Sequence, residues 1–578
     1  MTEPGAHATK ALTHFTVHAT TLVTLCLFDG DTEHRFAMTR DGDIWTATAH
    51  APPGTRYGFR GEIDPAKLLV DPYAIELDQP FVYDPRLREP GIDTGPLVPK
   101  AIVQHPVALP DPPPPLFAPG GLIYELNVRG FTMLHPDVPA AQRGTIAALA
   151  HPAVIAHFRK LRVTAIELMP IVAWIDERHL PPLGLTNAWG YNPVVPMALD
   201  PRLAPGGVAE LRDTVAALRE AGIGVILDLV FNHSGESDEH GPTLSFRGLD
   251  PDAYARAPDG SLSNVTGTGN TIDCSRPAMR RLILDTLRHF ARIGVDGFRF
   301  DLAPVLARDP DFDAAAPIFA EIAADPLLST RVMIAEPWDI GPGGYRLGQF
   351  PDTWLEWNDR YRDDVRRFWR GDDEAGALAT RITGSSDIFP GTTTRTVNFI
   401  AAHDGFTLAD TVAYATRHNR ANGEDNRDGH GDNHSWNNGV EGPTDDAAVL
   451  ARRAADQRAL LATLFASKGT IMLTAGDEFG RTQRGNNNAY AQDNAITWAD
   501  WMGRDVALED FVAGLAAFRA DAGIGDPTLL TSANWYDLSG VPMTDAAWAN
   551  AAGFELHLPD GGAILRFDRN ERLVTLSR

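Results

Sequence analysis

The stretch Ile293-Gly-Val-Asp-Gly-Phe-Arg-Phe-Asp-Leu-Ala303 threads two acids and an arginine through apolar residues. Val295, Phe298 and Phe300 read as a strand buried on both faces. Asp301 falls at its C-terminal edge, with Arg299 two positions earlier and so on the same face. By itself the stretch favours a site only slightly over an ion pair closing a strand. Four more clusters change that reading: Asp228 with Asn232-His233, Glu336-Pro-Trp-Asp339, His403-Asp404, and Trp189-Gly-Tyr191. Several carboxylates, an arginine, two histidines and a tyrosine suit glycosidic cleavage. That reaction needs one carboxylate as nucleophile and one carboxylic acid to protonate the leaving oxygen. The two must lie close together in opposite protonation states. Arg299 gives Asp301 a partner that favours the charged form. Ile334, Pro337 and Trp338 surround Glu336, where desolvation raises a carboxyl's pKa and holds its proton.

Such a constellation needs a scaffold that gathers strand ends around one mouth. Strands are expected at 122–126, 164–169, 224–230, 295–301, 331–335, near 396–401 and at 470–474. Helices alternate with them: one at 146–161, one through Val208, Leu211, Val215 and Leu218, and one through Met279, Leu282, Ile283 and Phe290, with Pro277 in its first turn. Repeated strand–helix units of this length predict a (β/α)8 TIM barrel, an α/β fold with its chemistry at the C-terminal ends of the strands. A doubly wound sheet is the alternative, but no Gly-rich phosphate loop follows the first strand.

The flanks read differently. Phe15, Val17 and Ala19, then Val23, Leu25 and Leu27, alternate and end in turn signals, which predicts an N-terminal β-sandwich over 1–105. The run Asp-Pro-Pro-Pro-Pro115 marks a stiff linker over 106–120. The barrel then occupies 121–530, and a short C-terminal β region 531–578, with strands around Phe554, Ile564 and Leu573 and a turn at Pro559-Asp-Gly-Gly562.

With 578 residues, 44% of them apolar and 22% charged, the chain can bury a large core. A net charge of −25 argues against nucleic acid or an anionic membrane as partner and suits a neutral ligand. Cys26 and Cys274 imply neither a disulfide framework nor a cysteine metal site. No secretory signal and no membrane span is visible, so the expected location is cytoplasmic.

Asp228…Asn232-His233, Gly297-Phe-Arg-Phe-Asp301, Glu336-Pro-Trp-Asp339 and His403-Asp404 resemble the four signature regions of the α-amylase superfamily of glycoside hydrolases. His403-Asp-Gly-Phe-Thr407, His418-Asn-Arg-Ala-Asn-Gly-Glu-Asp-Asn-Arg427 and Gly476-Asp-Glu-Phe-Gly-Arg-Thr-Gln-Arg-Gly-Asn-Asn-Asn488 resemble its bacterial glycogen debranching and isoamylase group. The resemblance implies Asp301 as nucleophile, Glu336 as general acid/base and Asp404 as the third acid, gripping hydroxyls of the sugar at the cleaved bond with His403 beside it. It implies that Arg299 orients the nucleophile, His233 meets that sugar's 6-hydroxymethyl, Tyr191 is a stacking platform and Asp228 organises the cluster. It further implies retaining hydrolysis of α-1,6 branch linkages in glycogen or limit dextrin, with a branched α-glucan as partner, no cofactor and no metal. Within the group, an isoamylase acting on longer branches, or a branching or 4-α-glucanotransferase enzyme, is the alternative. The N-terminal sandwich resembles a starch- and glycogen-associated module. Two departures stand out: Asn127 where relatives often carry histidine, and a C-terminal β region shorter than usual.

Weaker signals remain. A calcium loop from Asp425 would need an oxygen ligand at its third position and glutamate at its twelfth; Arg427 and Trp436 stand there. His430 and His434 read as loop polarity. Trp354, Trp357 and Trp436 read either as sugar platforms or as core, and Asn486, Asn487 and Asn488 either shape the mouth or bond glucan hydroxyls.

Overall fold

The computed structural model describes residues 3–9, 12–105, 111–530, 533–559 and 562–578. At its centre eight parallel strands close into a barrel. In chain order they are Leu122–Leu126, Ala165–Leu168, Gly224–Leu229, Gly297–Phe300, Val332–Ala335, Leu355–Asn358, Thr396–Phe399 and Thr470–Thr474. The first pairs with both the second and the eighth, which shuts the ring. The sixth strand escapes sequence reading: Glu356 and Asn358, both buried, leave it only two apolar residues.

Alternation along each strand sends every second side chain inward. One interior layer is apolar, with Ile123, Ala165, Ile226, Ile334, Leu355, Val397 and Met472 in a single buried cluster. Two residues further along, polar groups enter at Glu125, Glu167, Asp228, Arg299, Glu336 and Thr474, while Trp357 and Phe399 stay apolar. Phe117 joins the apolar cluster from below. The proline-rich segment that carries it is therefore no free spacer where it is described. Leu116 and Phe117 donate backbone N–H groups to Asp296 at 2.9 and 3.1 Å. Residues 106–110 of the expected linker lie outside the described residues.

The single helix expected over 146–161 is broken. A 3₁₀ turn, Ile146–Ala150, precedes the helix Pro152–Lys160. Pro152 has no N–H to continue an upstream helix but suits a first helical position, and His151 turns to an extended conformation and caps Ala153. Pro277 opens the helix Pro277–Ile293, which ends at Gly294 with φ of 108°, a left-handed position that only glycine takes freely.

The N-terminal region forms two four-stranded sheets. One orders Gly5–Ala8, Thr13–His18, Ile44–Ala49 and Thr39–Asp41; the other Thr32–Ala37, Val23–Asp29, Arg56–Gly61 and Ala101–Ile102. Phe15, Val17, Leu25, Trp45 and Phe59 fill the space between them. That core continues into Leu244 and Leu249 of the barrel's third loop. Backbones meet there as well: Val70 N–H donates to Leu244 at 2.8 Å and Thr20 N–H to Leu249 at 3.0 Å. The C-terminal strands Asn534–Tyr536, Gly553–His557, Ile564–Asp568 and Leu573–Ser577 make one antiparallel sheet. Phe554, Leu556, Leu565 and Phe567 join it to the barrel's outer core. Of the turn expected at 559–562, residues 560 and 561 lie outside the described residues.

Candidate active site

Arg299 is the fixed point of the mouth. It points into the barrel from the fourth strand, is fully buried, and lies 4.2 Å from the Trp357 ring centroid. Its Nη1 donates to both oxygens of Asp228 at 2.9 Å and to Asp301 Oδ1 at 3.1 Å. Its Nη2 lies 3.0 Å from Glu336 Oε2. Three carboxylates from three neighbouring strands thus share one planar fork. Asp301 and Glu336 sit on its two arms.

The backbone completes these placements. Leu302, with φ of 41°, turns its N–H onto Glu336 Oε2 at 2.7 Å. A left-handed leucine stores strain, and here it joins the strand end that carries Asp301 to Glu336. Asn232 donates Nδ2 to the carbonyl and Oδ2 of Asp301 at 2.8 and 2.7 Å. Tyr191 donates its hydroxyl to Asp228 and stacks on His403, with ring centroids 4.8 Å apart. His233 is buried; its Nε2 lies 2.8 Å from the Tyr191 carbonyl and its Nδ1 2.5 Å from Asn232 Oδ1. Its ring therefore braces Tyr191 and Asn232. The hydroxymethyl contact that resemblance gives it would compete with these partners.

His403 follows the seventh strand and holds Glu125 Oε1 through Nδ1 at 2.7 Å. Thr474 donates to the other oxygen of Glu125 at 2.9 Å. Asp404 is next in the chain, half-buried, with His430 Nε2 at 3.8 Å from its Oδ2. All eight residues singled out from sequence, Asp301, Glu336, Asp404, Tyr191, Asp228, His233, Arg299 and His403, surround one mouth. Asn232, Glu125, Glu167 and His430 join them without having been assigned roles. Glu125 and Glu167 carried a signal, since each occupies the inward position of a barrel strand, but a lone acid inside an apolar run does not announce itself. His430 corrects its reading as mere loop polarity.

Burial sets the protonation pattern. Desolvation pushes Glu336 up to about 8, against the pull of Arg299 and with help from Asp301 and Asp404. Asp228 rises to about 6 because burial outweighs Arg299. Burial opposes the charge on His403, but Glu125 overcomes it and lifts the imidazole to about 9. Burial would raise Asp404 too; His430, His403 and Arg362 outweigh it and hold the carboxyl far below the usual range. Glu167 is pushed well above an ordinary carboxyl by burial, with Asp228 and Glu125 adding to it. Both of its oxygens are buried without a partner among the described residues, as befits a neutral acid.

Trp357 lies under Arg299 and Trp354 stacks on Phe300 at 4.8 Å, so both are core. Trp436 is half-buried and donates to Asp456 at 2.7 Å. Asn486 and Asn487 are buried and bonded to other protein groups. Among the described residues no group of three His, Cys, Asp or Glu is arranged to hold a metal ion, and no helix is long and apolar enough to cross a membrane.

Residues 5–74 match the family described as carbohydrate-binding module 48 (isoamylase N-terminal domain). The chain is 46% identical to a glycogen debranching enzyme of Yersinia pseudotuberculosis serotype IB (strain PB1/+), covering 94% of this chain and 88% of that protein. It is 46% identical to a glycogen debranching enzyme of Serratia proteamaculans (strain 568), covering 94% and 85%. In fold it is similar to a pullulanase from Anoxybacillus sp. LM18-11 complexed with maltotetraose, with a TM-score of 0.74, 24% identity, and 98% and 81% of the two chains covered. It is similar too to the catalytic module of a glycogen-degrading pneumococcal virulence factor, with a TM-score of 0.77, 20% identity, and 98% and 89% covered.

Proposed function

Since the chain belongs to the glycogen debranching enzyme family, we propose that it hydrolyses α-1,6 branch linkages of glycogen or its limit dextrin with retention at the anomeric carbon. Asp301 attacks that carbon as Glu336 gives its proton to the departing glycosidic oxygen, and a covalent β-glycosyl ester forms. Glu336, now a carboxylate, then takes a proton from water as that water breaks the ester. Asp404 and His403 hold the hydroxyls of the sugar being cleaved. Tyr191 offers the ring on which that sugar rests, and Asp228 and His233 keep Tyr191 and Arg299 in place.

The observation that carries this reading is the Arg299 fork. It touches Asp301 and Glu336 at 3.1 and 3.0 Å, while burial leaves Glu336 protonated up to about 8. One charged and one neutral carboxyl facing a single bond is what double displacement requires. Two free, buried cysteines suit a reducing compartment, which supports a cytoplasmic location.

Product analysis on branched glycogen tests the reading. Hydrolysis releases linear oligosaccharides, raises reducing ends, and yields the α-anomer first by proton NMR. Unchanged reducing ends would mean transfer instead, and a β-anomer would mean inversion. Release of short against long side chains decides between a limit-dextrin debrancher and an isoamylase.

A further inference from the structure

Among the three acids proposed to act on the sugar, Asp404 is the one that the Arg299 fork does not hold. Glu336 and Asp301 are tied to Arg299, whereas Asp404 has no hydrogen-bond donor among the described residues, and its ion pair is with His430. His430 belongs to the segment 418–433, far along the chain from any barrel strand, and its side chain is about half exposed. Its backbone is nevertheless fixed. Asn487 donates Nδ2 to the His430 carbonyl and to Asn433 Oδ1, both at 2.9 Å. Asn419 donates to Asn487 Oδ1 at 2.8 Å, and both asparagines are fully buried. Arg366 staples the far end, giving Nη1 to the Asn433 carbonyl at 2.9 Å and Nε to the Ile400 carbonyl at 3.0 Å. An amide network of this kind spends its donors on one loop conformation, and that conformation puts an imidazole over a catalytic acid.

We propose that His430 is a positioning residue for Asp404: the imidazolium, delivered by the asparagine-held segment, keeps that carboxylate aimed at the sugar hydroxyls, so the aim depends on the charge of His430. The proposal rests on the role of Asp404 given above. Charged groups face His430 from several elements: Asp404 after the seventh strand, Asp432 on its own segment, and Arg362, Asp363 and Arg366 on the helix Asp359–Arg370, all lining one cleft. Asp404 favours the cation, while burial and the two arginines oppose it, and the balance leaves His430 above its ordinary 6.5. The imidazolium is present below that raised value and lost as pH rises through it.

His430→Gln and His430→Lys separate charge from shape, with Asp404→Asn as reference, assayed on branched glycogen. The glutamine variant is expected to lose roughly tenfold or more in kcat/KM, the scale of a small misplacement beside the reacting centre, with an unchanged melting temperature. Its alkaline fall in kcat/KM should lose one of two deprotonations, leaving the one at Glu336. Lysine, still charged, should restore most of the rate and keep the single-proton slope. A glutamine variant with wild-type kcat/KM and slope would overturn the proposal, as would a lysine variant no better than glutamine, provided Asp404→Asn is inactive. If Asp404→Asn itself turned over normally, the role of Asp404 would fall first, a separate and recognisable result.

Discussion

Three carboxylates meet one guanidinium at Arg299, and a single positive charge cannot balance three negative ones in a dry site. The proton therefore stays on Glu336, the carboxyl that burial raises furthest. With Glu336 raised to about 8, the acid form is present below that pH, and kcat/KM should fall as pH rises through it. Glu336→Gln should take the Glu336 deprotonation out of this limb, leaving the one at His430, along with most turnover; a limb unchanged in both slope and position would assign the proton elsewhere. Asp301→Ala should lower kcat on the order of ten-thousandfold, the scale expected for the nucleophile proposed above. Arg299→Lys keeps the charge but not the two-armed fork. It should reduce kcat/KM about a hundredfold by misplacing the two acids, seen in steady-state kinetics on the same glucan. At this scale the sequence was generous: strand-end acids stand out beside apolar runs and beside each other. The signal at Glu125 and Glu167 was too faint to use, because an acid at one inward position looks no different from an acid at a solvent-facing one. The sequence was silent on His430 because loops, unlike strands, carry no period that says where they return.

The elements reach ångström placement only through contacts that leave no slack. Gly297 begins the fourth strand, and a Cβ there would lie 2.6 Å from the Val332 carbonyl oxygen on the fifth. Gly297→Ala must push apart the strands that carry Asp301 and Glu336. It should lower stability by about 1–3 kcal/mol, as overpacking does, and depress kcat further than that loss alone; thermal melts beside kinetics would show both. The helix Pro152–Lys160 is pinned differently. His157 is buried with Nε2 2.8 Å from Glu478. Burial disfavours its charge, but Glu478 and Glu509 prevail and lift it from 6.5 to about 9. A folded-state pKa above the unfolded one gives stability that is complete below the unfolded value and lost as pH rises through the folded value. The melting-temperature gap between wild type and His157→Gln should therefore narrow from below pH 6.5 to above pH 9. The barrel was legible from its repeating units. The sixth strand and the break at Pro152 were not: Glu356 and Asn358 leave the strand only two apolar residues, and a proline reads either as a kink or as a new start.

Across the whole molecule the net charge of −25 meets a neutral polymer. Recognition by stacking and hydrogen bonds, with no steering field, predicts kcat/KM on glycogen that is nearly flat from low salt to about 0.5 M; a steep decline would point to an ionic contact with the substrate. The flanking sheets were foreseeable from alternation, but not how they dock. Nothing in the residues 5–74 alone says that their core runs on into Leu244 and Leu249. The approach is close: a Cβ on Gly61 would lie 2.6 Å from the Gly248 carbonyl oxygen. The segment sealed by this contact follows directly from His233, so the sandwich is a wall of the catalytic body as much as an appendage to it. A version of the chain trimmed to its cylinder would expose a greasy scar beside the mouth and leave the third loop without its backing. Such a fragment should clump in solution, and swapping in a foreign sandwich should fail unless its seam fits Gly248.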